Sequence, residues 1–109
     1  MAHYSINAET GERTLVQNTI PPEQYRPMVI GSIRVLCTQA ITETAGIDEK
    51  TQLNAIAGIY EPARCDAIKS YIAACRNEYL RCKGLILAAT TNDEADAVQF
   101  VAPPVPENL

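Results

Sequence analysis

The chain has 109 residues, room for one domain of ordinary size and not two. A composition of 47% hydrophobic and 20% charged residues excludes a disordered polyelectrolyte and leaves enough apolar side chains for a core. Thirteen carboxylates against nine Lys and Arg give a formal charge of −4, a balance that disfavours nucleic acid or an anionic membrane as the main partner, because both call for a basic surface.

The segment Met1–Ile20 is polar and mixed in charge, so no secretory signal is expected. The longest apolar run, Leu85 to Ala89, is far shorter than the ~20 residues of a membrane span, and the chain reads as a cytoplasmic protein. Within residues 3–17, Tyr4-Ser5-Ile6 and Thr14-Leu15-Val16 flank a polar stretch containing Gly11, which suits a β-hairpin.

Pro21 and Pro22 interrupt the chain, and Pro27 suits the first turn of a helix, where a missing N–H is harmless. From there to about Ala45, Val29, Ile30, Ile33, Leu36, Cys37, Ala40 and Ile41 fall on one arc at helical periodicity, and Gly46 is placed to end the helix. Asp48 is a good N-cap for a second helix over 49–60, with Leu53, Ile56, Ala57 and Tyr60 as its inner face.

Pro62 opens a third helix, expected over 62–83 with Lys83-Gly84 as its end. Cys65, Ile68, Ile72, Cys75, Tyr79 and Cys82 recur on it at alternating intervals of three and four, a heptad seam that fits a core helix or a coiled-coil-like contact. Residues 85–102 stay open between two strands and a short helix capped by Asn92. The Val and Phe side chains near 98–101 tip the balance toward strands.

The expected fold is therefore mainly α: a small three-helix domain with short terminal segments of β-compatible sequence. It divides into an N-terminal segment over 1–20, a helical domain over 21–102 and a Pro-rich tail over 103–109. Charge is unevenly placed along it. Arg64, Lys69, Arg76, Arg81 and Lys83 outnumber the acids of the third helix, whereas residues 84–109 carry Asp93, Glu94, Asp96 and Glu107 and no base.

Cys37, Cys65, Cys75 and Cys82 form no C-x-x-C pair, and the single histidine, His3, stands apart from them, so neither a metal site nor a cofactor is expected. Cys75 and Cys82 are separated by about 10 Å along a helix and cannot bridge each other, since a disulfide needs Cα atoms within about 7 Å. No phosphate loop or paired-carboxylate constellation is present, so no catalytic residue is assigned and an enzyme is not expected.

What remains is apolar surface spread over more helix faces than three helices of one subunit cover. It points to a small acidic regulatory or interaction protein of adaptor, inhibitor or antiactivator type, expected to form a homodimer and to bind another protein, transcription regulators being one class in view. Candidate contact residues are Met28, Val35 and Gln39 on the first helix and Tyr71, Arg76, Tyr79 and Leu80 on the third. Tyr and Arg are enriched among binding hot spots, and Met adapts to varied surfaces.

Two other readings compete with this one. Residues 46–60 echo a helix-turn-helix in the spacing of Gly46, Thr51, Ala55 and Gly58, but they offer only Lys50 to DNA. A thiol-based redox sensor is the third reading, without a neighbouring histidine to activate a thiolate.

Overall fold

The computed structural model describes residues 19–109 in full and the backbone of two strands, β1 (His3–Ile6) and β2 (Arg13–Val16). The strands pair antiparallel with His3 opposite Val16 and Ile6 opposite Arg13. The loop expected around Gly11 lies outside the described residues. Four α-helices follow among the described residues: α1 (Pro22–Gln39), α2 (Glu49–Ile56), α3 (Pro62–Ala88) and α4 (Asn92–Asp96).

Helix α1 starts at Pro22, one turn before the expected point, and Pro27 lies inside it. An internal proline forfeits one backbone hydrogen bond and disfavours helix at the preceding residue. Tertiary contacts outweigh that loss. Tyr25 is fully buried and donates its hydroxyl to the Asp96 carboxylate at 2.7 Å, and Arg26 donates to the Ala89 carbonyl at 3.0 Å. At its far end α1 widens into a π-helical turn over Ala40–Thr44, in which Ala45 N–H reaches the Ala40 carbonyl at 3.0 Å. Gly46, at φ 69°, then reverses the chain, and Ile47 N–H closes on the Ile41 carbonyl.

Helix α2 is capped as expected, the Asp48 side chain accepting from Thr51 N–H at 2.8 Å. It ends four residues early. Gly58 takes φ 73°, and Ile59 N–H bonds back to the Asn54 carbonyl, the hydrogen bond of a glycine-terminated helix. The expected inner face is also corrected: Leu53, Ile56 and Ala57 face outward, Tyr60 is half-buried, and Ala55 alone is buried on α2. The small Ala55 lies in the same core cluster as Ile68 and Tyr71 of α3, whereas a larger side chain there would hold α2 away.

Helix α3 runs through the expected stop at Gly84 to Ala88, about 40 Å in all. A helical glycine without positive φ is a weak terminator, and Ile86, fully buried, holds the extra turn down. The expected strands over 85–102 are absent. That stretch is the last turn of α3, the short helix α4 and an extended strap over 97–109. Thr91, not Asn92, caps α4, accepting from Glu94 N–H at 3.1 Å, while the Glu94 carboxylate accepts from Thr90 N–H at 2.9 Å.

Helix α1 packs antiparallel on α3, which sets Arg26 against Ala89, Arg34 against Tyr79 and Cys37 against Cys75. Two core clusters result. Tyr25, Val29, Ile30 and Ile33 meet Cys82, Ile86 and Ala95 at one end, and Cys37, Ile41 and Ile47 meet Ile68, Tyr71 and Cys75 at the other. Tyr79 and Phe100 pack against both. The heptad seam is thus core: Cys65, Ile68, Cys75 and Cys82 are buried, with Ile72 and Tyr79 half-buried. Leu36, placed by periodicity on the α1 core arc, is exposed.

The strap is clasped to α3 by three hydrogen bonds. Arg81 donates to the Gln99 carbonyl at 3.0 Å, Val101 N–H donates to Glu78 at 2.7 Å, and the Tyr71 hydroxyl donates to the Pro103 carbonyl at 3.0 Å. No helix is long and apolar enough to cross a membrane among the described residues.

Candidate functional site

Where the second half of α1 diverges from the middle of α3, a groove of about 460 Å³ opens, bounded at one end by Gln52 of α2. Its floor is apolar, made by the buried Cys37 and Ile41, with the exposed Leu80 at its edge. Its rim is polar and positive: Arg34 and Thr38 from α1, Thr42 from the π-turn, Arg76 and Tyr79 from α3. Among the described residues no carboxylate lines it, in a chain whose formal charge is −4.

Several of these groups are held in place. Arg34 donates to the Tyr79 hydroxyl at 3.2 Å, and its guanidinium carbon lies 5.8 Å from the centroid of that ring, an electrostatically favourable stack. Thr42 donates to the Thr38 carbonyl at 2.8 Å, and the Gln52 amide donates to the Ile47 carbonyl at 3.1 Å. Arg76 is exposed and has neither an ion pair nor a hydrogen bond among the described residues. The groove therefore presents one braced guanidinium and one uncommitted guanidinium over an apolar floor. Such an arrangement has the chemistry to receive an anionic group attached to an aliphatic one.

The cysteines are poorly placed for thiolate chemistry. All four are free and buried. Burial pushes the Cys37 thiol up, more than the nearby Arg76 charge draws it down, and burial likewise raises Cys75 and Cys82. A raised thiol holds less of the reactive thiolate at neutral pH. No group of three His, Cys, Asp or Glu side chains comes together among the described residues.

Of the candidate contact residues, Arg76, Tyr79 and Leu80 come together in the groove. Met28, Val35 and Gln39 are exposed but lie around the far flank of α1 and do not line it. Tyr71 is a correction. It is 3% exposed, packs in the core and spends its hydroxyl on the strap, so it offers no contact surface. Arg34, Thr38, Thr42 and Gln52 were not legible as site residues. Arg34 sits one step off the apolar arc of α1, and only the α1–α3 register carries it to Tyr79.

A second concavity, between the end of α3, α4 and the strap, is shallow, and its one cation, Arg81, is already paired with Glu78 at 2.6 Å. The outward face of α2 and the turn after it carry Leu53, Ile56 and Ile59, the last two about 70% exposed (72% and 68%). No protein-family model matches the chain, and neither the curated proteins nor the solved structures contain a match to it.

Proposed function

We propose that this is a small helical interaction protein of regulatory type, without catalytic activity, that binds another protein through the groove between α1 and α3. The observation that carries the reading is the groove itself, lined among the described residues by no acid, with Arg34 and Arg76 beside Cys37, Ile41 and Leu80. Arg and Tyr at the edge of a desolvated apolar floor are the usual composition of a binding hot spot. Further support is the apolar surface left on the fold: Met28, Val35, Leu36 and Leu80 are all exposed large side chains. Cytoplasmic action as a homodimer completes the reading, the first consistent with four unbridged cysteines and the second open to light scattering at micromolar concentration.

The outward face of α2 gives the DNA-binding reading little support, because it offers Leu53 and Ile56 where phosphate donors are needed. The decisive experiment is photo-crosslinking in native host cells, with the photoreactive group at position 80 and a control at position 56. The expected result is a discrete protein adduct from position 80 that Arg76→Glu abolishes. A discrete adduct from position 56 alone, or none that responds to Arg76→Glu, overturns the reading.

A further inference from the structure

The groove continues as a stripe along the exposed flank of α3. Lys69, Arg76 and Lys83 are spaced seven apart, and Leu80 and Leu87 each stand four residues after a base. On a helix, intervals of three, four and seven share one face, so these five side chains form a single line about 27 Å long. Leu80 and Leu87 are 57% and 56% exposed, so the line is not spent on the core. Among the described residues, Lys69, Arg76 and Lys83 have no ion pair. Arg34 stands across the groove from this line, beside Tyr79.

Building on the docking function of the groove, we propose that its occupant is an acidic amphipathic helix of the partner protein. The helix lies along α3, its aliphatic side chains against Leu80 and Leu87 and its carboxylates against Arg76, Arg34 and the two lysines. The alternation of base and leucine at heptad spacing is the complement of a helix with Leu at its seam and Glu beside it. A concave floor of about 460 Å³ receives the ridge of a helix. A nucleic-acid backbone would leave the leucines unburied, and a flat bilayer would leave the groove unfilled.

The test uses the full chain and two labelled helical peptides of three heptads, both with Leu at positions a and d, one with Glu and one with Lys at e and g. Fluorescence anisotropy at physiological salt is expected to show saturable binding of the Glu peptide and much weaker binding of the Lys peptide. Arg76→Glu combined with Lys83→Glu should weaken the Glu peptide at least roughly tenfold and strengthen the Lys peptide, with far-UV circular dichroism unchanged. Leu80→Asp should weaken both.

Equal binding of the two peptides, or no effect of charge reversal, overturns the assignment. So does saturable binding of phosphatidylglycerol vesicles or duplex RNA in place of the Glu peptide. If position 80 captures a partner in cells while the Glu peptide fails to bind, the acidic-helix assignment falls and the groove stands as a contact surface. If both fail, the docking function falls with it.

Discussion

Glu78 shows how one side chain fixes the last dozen residues of the chain. It sits on α3, accepts from Arg81 and from Val101 N–H, and thereby ties the strap to the helix. The Arg81 hydrogen bonds, and less strongly the Val101 amide, hold its carboxyl at about 2, well below the ordinary 4.5. A depressed carboxyl contributes stability in full above its unfolded value and loses it as pH falls through the folded one. The urea midpoint of the native chain should therefore exceed that of Glu78→Gln at pH 7, and the gap should close between about pH 4.5 and about pH 2. A gap that stays constant over that range contradicts the clasp. The Pro-rich tail was legible in the sequence but its path along α3 was not, because its anchors are backbone groups of Gln99, Val101 and Pro103, which no side-chain pattern reports.

At the scale of elements, the signals with a local cause were readable and those with a tertiary cause were not. The Asp48 cap, the Gly46 reversal and the Pro62 start depend on a few adjacent residues, and all three stand where periodicity and capping placed them. Gly58 is also a local signal, overlooked because Pro62 offered a later stop. The α2 inner face failed for a different reason: two turns of helix with apolar residues on both sides do not specify which side packs, and contact with α3 selected Ala55.

Two of the glycines, Gly58 and Gly84, should behave oppositely. At Gly58 the left-handed φ of 73° makes Gly58→Ala destabilising by ~1 kcal/mol. At Gly84, in mid-helix with open space around an added methyl, Gly84→Ala should stabilise by ~0.5–1 kcal/mol. Urea denaturation of the two variants reads both signs, and a stabilising Gly58→Ala would contradict the turn described here.

For the whole molecule, the mainly helical class was legible and so was the α3 seam, since both rest on long periodic segments, but periodicity left the seam open between core and contact surface until the structure buried it. The groove was legible by half. Arg76, Tyr79 and Leu80 stand out on one helix face, but Arg34 and Thr38 join them only through the antiparallel register of α1 on α3. Tyr71 was misplaced because a tyrosine with a polar tip suits a surface and a buried anchor equally well, and the strap that accepts its hydroxyl was not foreseen.

The formal charge of −4 likewise gives no hint of a groove with two guanidinium groups and, among the described residues, no acid. The proposed seat of a protein partner is this groove and not the apolar patch of α2. Methyl NMR of the chain with and without the captured partner tests it directly. Shifts or broadening are expected at Ile41, Leu80 and Leu87 with Ile56 and Ile59 unmoved, and perturbation confined to Ile56 and Ile59 would contradict docking in the groove.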